Sequence, residues 1–192
     1  PLSHIFERTV CYRYQAAGAG IWYADSVETL PQTLQEVRPH FFTAPDDECI
    51  IGALPLRLRR EAGWEVLNVA VTQGSNVARQ AERLAELKNA CGYIGFGLIQ
   101  TAPNGLEKVG PKTRATDPAR WQPMVDVIAR ILREQKPKAI FFPHEHDWNS
   151  SHIGVHFLVM DALRQLGAGC QLNLVETEYW GQMTAPNLMV ES

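Results

Sequence analysis

The sequence predicts an α/β protein: a Rossmann-like three-layer fold with a mainly parallel sheet and helices on both faces. From residue 39 onward, short β-rich runs alternate with longer segments of helical period, the pattern of parallel strands joined by covering helices. Some of the runs are apolar almost throughout, as strands buried on both faces require. Hydrophobic residues make up 45% of the chain and charged residues 20%, a balance that supports a packed core rather than a disordered segment.

His40-Phe41-Phe42-Thr43 reads as the first of these strands. A helix from Asp47 to Arg60 follows, with Ile50, Ile51, Leu54 and Leu58 on one side. Arg57, Arg59 and Arg60 stand near its end, where cations complement the helix dipole, and Pro55 bends or breaks it. Gly63 closes that helix, and Glu65 to Thr72 forms a second strand. Gln73-Gly74-Ser75 turns the chain into a helix from about Asn76 to Ala90, and Tyr93 to Ile99 supplies a third strand. Thr101 to Asp117 carries Pro103, Asn104, Gly105, Gly110 and Pro111 and reads as a long surface loop. The segment from Ala119 to Gln135 is an amphipathic helix presenting Met124, Val127, Ile128, Ile131 and Leu132. Lys138 to Phe142 is the next strand, Ser151 to Leu166 a helix opened by serines, and Gln171 to Tyr179 a last strand. Residues 1–38 form an N-terminal extension, with Cys11 to Tyr14 and Ile21 to Tyr23 as short strands and a helix near Leu30 to Val37.

A length of 192 residues fits one domain spanning residues 1–192, and no internal repeat divides it. The net charge of -3, from 21 acids against 18 bases without a basic run, offers no footprint for nucleic acid. No segment approaches the roughly 18 unbroken apolar residues of a membrane span, and no signal-peptide stretch opens the sequence, so a cytoplasmic location is expected. Cys11, Cys49, Cys91 and Cys170 are too scattered for a disulfide framework or a CxxC metal site and are expected as buried thiols. Oligomeric state is not specified.

Potential ligands concentrate at two strand ends. One is Thr43-Ala44-Pro45-Asp46-Asp47-Glu48; the other runs from Pro143 through His144, Glu145, His146, Asp147, Trp148 and Asn149 to His152. In an open parallel sheet, ligands gather outside the carboxyl ends of the strands, so both segments are expected at one crevice. Adjacent carboxylates can then divide their work, one binding a cation and the other accepting a proton from water, while a histidine supplies neutral nitrogen. Each feature also has a plain structural role. Asp46, Asp47 and Glu48 suit a helix N-terminus, Ser150 or Ser151 an N-cap, and His144 and His146 a surface loop. His156, four residues after His152 and among Val155, Phe157 and Leu158, reads as packing rather than as a second ligand. Coincidence of acids and histidines at two converging strand ends favours a site.

At these residues the chain resembles the LmbE-like, or PIG-L-type, deacetylases over about residues 39–180. That family reads strand, then Ala-or-Pro-His-Pro-Asp-Asp-Glu, then a helix and a strand ending in Thr-x-Gly. Here Pro45-Asp46-Asp47-Glu48, Gly52, Gly63 and Thr72-Gln73-Gly74 fall in register. Arg83-Leu84-Ala85-Glu86-Leu87, then Ala90 and Ile94-Gly95-Phe96, is similar to the Arg-x-x-Glu-Leu helix and following strand. A second motif, Asp followed by His-x-x-His, is matched by Asp147 and Asn149-Ser150-Ser151-His152.

The resemblance implies a zinc-dependent hydrolase that removes an N-acetyl or other N-acyl group from an amino sugar or glycoconjugate. It implies Zn2+ bound by Asp47 and His152, and Asp46 as the base that activates the attacking water and returns the proton to the departing amine. Arg83, His144 and Asp147 are expected to line the substrate site, although a surface ion pair is nearly as good a reading of Arg83. Two departures bear on activity. Ala44 stands where the family has its first zinc-binding histidine, which leaves two of the three protein ligands a catalytic zinc normally keeps. His40, His144 or His146 is a candidate replacement, but ligand placement is hard to recover from a loop, so impaired activity is the preferred expectation. Asn149 stands where many relatives have a histidine; its amide can donate to an oxyanion without shuttling a proton. Two other readings compete: a catalytically silent relative that binds sugar for recognition or regulation, and a magnesium-dependent phosphate-handling protein, which would have little need of His152. The loop from Thr101 to Asp117 and the pair Tyr179-Trp180 are candidates for specificity, with Trp180 equally suited to the core.

Overall fold

The computed structural model describes residues 23–24, 39–43, 54–167, 172–187 and 189–190. In chain order the elements are β1 (Tyr23–Ala24), β2 (Pro39–Thr43), α1 (Leu54–Arg60), β3 (Leu67–Ala70), a 3-10 turn (Val77–Arg79), α2 (Gln80–Ile94), β4 (Gly97–Gln100), α3 (Pro111–Thr116), α4 (Pro118–Gln135), β5 (Ala139–Pro143), α5 (Ser150–Leu166), β6 (Asn173–Thr177) and β7 (Met189–Val190).

Five strands form one sheet in the order β4-β3-β2-β5-β6, and every neighbouring pair is parallel. The expected parallel α/β architecture is therefore present. β1 and β7 make a separate parallel pair, with Tyr23 opposite Met189. Successive strands step outward from β2 to β4, and the chain then returns to the other side of β2 with β5. That reversal makes the β2/β5 boundary the switch point, outside whose carboxyl ends a crevice is expected. β2 and β5 run side by side with Phe41 opposite Phe141, and β5 leads at that edge into residues 144–152.

Alternation along the strands divides the core in two. Val69, Val71, Ile140 and Phe142 pack with Ile128, Ile131 and Leu132 of α4 and Val155, Leu158 and Val159 of α5. Val66, Ala70, Ala139 and Phe141 face the other way, with Leu58 of α1 and Leu87 and Cys91 of α2. Leu58, Ile128, Ile140 and Leu158 are wholly buried, and side chains of this kind each contribute about 1.5–3 kcal/mol when removed from water. This two-faced burial is what fixes the three layers.

Several boundaries differ from the expectation. The helix expected to end near Ala90 continues to Ile94, and the following strand starts at Gly97 rather than Tyr93. Gly95 is the reason: at φ +78 it takes the left-handed conformation that ends a helix, and its N–H bonds to the Cys91 carbonyl. The same helix opens with the 3-10 turn, whose cap is the Asn76 side chain accepting from the Ala78 N–H. The segment from Thr101 to Asp117 is not a plain loop, because Pro111–Thr116 is helical with Pro111 at its first position, where the missing N–H costs nothing. Asn149, not a serine, caps α5. Trp180 is 56% exposed and so lies outside the core, while Tyr179 is buried.

Cys91 is a buried thiol as expected; Cys11, Cys49 and Cys170 lie outside the described residues. So do the expected strand at Cys11 to Tyr14, the helix near Leu30 to Val37, and the start of the helix from Asp47. Among the described residues, no helix is long and apolar enough to cross a membrane.

Candidate functional site

The turn from β5 into α5 lies at the carboxyl edge of the sheet. Asn149 stops the extended chain at φ -90, ψ 120, and its side-chain oxygen accepts from the Ser151 N–H at 2.8 Å. That cap satisfies one of the N–H groups a helix start leaves open. His152 consequently sits in the first turn of α5, buried beside the strand ends.

Asp147 organises this turn. Its Oδ1 accepts from the Asn149 N–H at 2.8 Å and lies 3.1 Å from His152 Nδ1. Its Oδ2 accepts from the N–H groups of Trp180 and Gly181, at 3.0 and 3.1 Å. The carboxylate is 0% exposed. Burial alone would raise its pKa; the hydrogen bonds from Asn149, Gly181 and Trp180, with the His152 imidazole beside it, outweigh that and hold it below the usual carboxylate range. An ionised carboxylate can only accept, so His152 Nδ1 carries the proton and donates it. In its neutral form the ring then has its lone pair on Nε2, the tautomer in which a carboxylate-backed histidine serves as a metal ligand. The Tyr179 ring lies 5.2 Å from the His152 ring at 60°, fixing its tilt from the other side.

His144 is buried, with both ring nitrogens engaged by main chain. Nε2 lies 2.8 Å from the Gly181 carbonyl, to which it donates, and Nδ1 accepts from the His146 N–H at 3.3 Å. Together with Asp147 it pins the chain after β6 onto the chain after β5. Gly181 permits the contact, because a Cβ there would stand 2.7 Å from Asp147 Cα and 2.9 Å from the Trp148 nitrogen. His146 is exposed and pairs with Glu145 at 3.6 Å. His156 is buried against Phe142 and Phe157, and its Nδ1 lies 3.1 Å from the Pro143 carbonyl and 3.5 Å from Glu176. Packing therefore describes it well.

At the β3 end, the Arg83 guanidinium lies over Gly74: a Cβ on that glycine would meet Arg83 Nη1 at 2.5 Å. Gln80 Nε2 donates to the Gly74 carbonyl at 2.9 Å and holds the same turn. The structure thus gathers His144, Asp147, Asn149 and His152 in one turn and carries Arg83 to the end of β3. Ala44, Asp46 and Asp47 lie outside the described residues, as does the side chain of His40. Among the described residues, no group of three His, Cys, Asp or Glu is placed to hold a metal ion. Sequence reasoning missed the Trp180 and Gly181 main-chain donors and Tyr179 as the partner of His152. Only the aromatic pair at 179–180 carried any signal of that contact.

Comparison with known proteins bears on the fold and the family. N,N'-diacetylchitobiose deacetylase from Pyrococcus horikoshii, solved with its inhibitor MPG, shares the fold with a TM-score of 0.50 and 18% identity, over 74% of this chain and 55% of that one. A conserved protein from Thermus thermophilus has a TM-score of 0.45 and 22% identity over 80% of this chain and 65% of its own. A deacetylase of teicoplanin biosynthesis has a TM-score of 0.49 and 13% identity over 67% of this chain and 63% of its own. The chain spans less than two thirds of the length of each of these proteins. No curated protein sequence matches it. The PIG-L family, described as GlcNAc-PI de-N-acetylase, matches residues 37–163, more than half of the 192 residues, and the chain belongs to that family.

Proposed function

We propose that the chain is a zinc-dependent hydrolase that removes an N-acetyl or other N-acyl group from an amino-sugar substrate, with activity depressed by Ala44. The observation that carries the reading is the Asp147–His152 pair: a buried carboxylate fixes Nδ1 and assigns Nε2 the lone pair. Family membership supports N-deacetylation as the reaction and an N-acylated amino sugar or glycoconjugate as the substrate.

An imidazole nitrogen with an aspartate is a donor set that suits zinc, and His152 with Asp47 would hold it. Bound there, zinc would supply Lewis-acid polarisation of the amide carbonyl and bring the pKa of a water toward neutrality. Asp46 would take the proton from the attacking water and deliver it to the amine nitrogen as the C–N bond breaks, giving a carboxylic acid and a free amine. Asn149 is exposed and its oxygen caps α5, so only its amide N–H groups are left to donate to a developing oxyanion. Arg83 would contact a polar group of the substrate at the β3 end. Asp147 and His144 would act through position, since the oxygens of the one and the ring nitrogens of the other are already engaged. His144 is accordingly a poor replacement for the missing ligand, and exposed His146 is better placed to move.

Ala44 also favours a second reading, a silent relative that keeps the sugar crevice, because a methyl group ligates nothing. Zinc content and amine release from a panel of N-acetyl amino sugars, compared between the chain and its Ala44→His variant, separate the two. The variant is expected to take up one zinc and to release amine faster than the parent. Failure of the variant to gain either zinc or hydrolysis would leave the silent relative as the better description.

A further inference from the structure

Gln73 follows β3 at the carboxyl edge of the sheet and is 1% exposed. Among the described residues neither its amide nitrogen nor its amide oxygen has a hydrogen-bond partner. Turning the amide over changes nothing, because both ends lack one. Each buried polar group left in this state costs about 1–3 kcal/mol, so an apolar residue of the same shape would suit the free protein better. A polar side chain held at that cost points to a partner that arrives from outside.

Its place in the fold indicates which partner. Val69 and Val71 face the α4/α5 side of the sheet, whereas Val66 and Ala70 face α1 and α2. The chain leaves β3 after Ala70, packs Val71 against α4 and α5, and reaches Gln73 at the carboxyl edge of the sheet. The first turn of α5, with His152, follows the carboxyl end of β5 at the same edge of the sheet. Thr72 is bridged to Gly105, and the Leu106 N–H bonds to the Val71 carbonyl at 2.7 Å, which fixes the backbone beneath Gln73. The Arg83 guanidinium over Gly74 stands next in the chain, offering only donors. A primary amide instead offers one acceptor and one two-proton donor side by side, which matches neighbouring hydroxyls of a sugar ring, one donating and one accepting.

We infer that Gln73 is a substrate-binding residue that holds an adjacent pair of ring hydroxyls of the amino sugar. The inference rests on the amino-sugar reading above and adds a specificity residue to it. The test uses the full chain and Gln73→Met, which keeps the shape and removes both polar ends. Thermal unfolding without ligand is expected to rise by about 2–4 °C in the variant, the shift that about 1 kcal/mol produces in a chain of this size. Glucosamine binding, measured by calorimetry, is expected to weaken about tenfold or more. A lowered Tm would mean that ordered water already satisfies the amide, and equal glucosamine affinity would mean that the sugar does not use it; either overturns the inference, as does a parent chain that binds no glucosamine. Sugar binding that depends on Gln73, in a protein whose Ala44→His form releases no amine, would sink the hydrolase reading and leave this one standing.

Discussion

Two carboxylates bracket α5 and are satisfied in opposite ways. Asp147, just ahead of the helix, takes three main-chain N–H groups and one imidazole, with no arginine or lysine among these donors. Asp161, in the body of the helix, takes Arg114 at 2.8 and 3.0 Å, Trp121 Nε1 at 3.0 Å and Arg164 at 2.6 Å. Burial pushes both pKa values up, and in both the hydrogen bonds outweigh it and bring the carboxyl below its usual range. The consequences differ. The charge of Asp161 is cancelled by two guanidinium groups and ties α3 to α5. The charge of Asp147 is spread over neutral amides and remains to act on His152. A carboxylate solvated by backbone can tune a functional ring, whereas one solvated by arginines mainly fastens elements together.

The largest expected effect comes from removing the charge of Asp147. Asp147→Asn must point an NH2 group at one of two donor pairs, either Asn149 and His152 or Trp180 and Gly181. It is expected to cost on the order of 3 kcal/mol in stability, as breaking a buried pair does. In the Ala44→His background it should also lower zinc affinity about 10–100-fold, the usual consequence of losing a residue that orients a ligand. Zinc titration with and without the change reads the second effect, and equal affinities would show that Asp147 does not orient the His152 ring for metal.

A smaller loss is expected from Gly181→Ala, which attacks the same cluster through packing alone. The new methyl would lie 2.7 Å from Asp147 Cα, 2.9 Å from the Trp148 nitrogen and 3.0 Å from the His146 carbonyl. All three are backbone atoms and cannot rotate away, so about 1–3 kcal/mol is expected, read as a lower urea midpoint. An unchanged midpoint would show that the chain after β6 is not seated on the β5–α5 turn in solution.

The comparison also shows what a sequence can and cannot disclose. The parallel sheet was legible because strand and helix periods differ, and the expectation of a site beyond β5 followed from the carboxyl-edge rule. Asp147 was legible as a member of a dense cluster, but its main partners were not. Trp180 and Gly181 contribute backbone N–H groups, which every residue except proline possesses, so no residue type advertises them. Asp161 was not singled out, since its partner Arg114 lies in a stretch whose glycines and prolines read as loop. There Pro111 begins a helix, and the punctuation that hid α3 is what positions Arg114. Tyr93 and Ile94 looked like a strand because aromatic and β-branched residues favour one, yet Gly95 ends the helix only after them.

The smallest effect belongs to Asp161, and its signature is pH dependence. Its pKa is lower folded than unfolded, so the stability it contributes is present above the unfolded value of about 4 and is lost as pH falls through the folded value. Arg114 is 36% exposed and Asp161 19%, so solvent screens the pair, and Asp161→Asn should cost only about 1 kcal/mol at neutral pH. Urea unfolding across a pH series should then show the gap between parent and variant narrowing below pH of about 4. It should close once the native carboxyl is protonated, because a neutral acid and an amide then face the same guanidinium groups. A gap of constant size across that range would mean that Asp161 acts through shape rather than charge, and the contrast with Asp147 would lose its electrostatic basis.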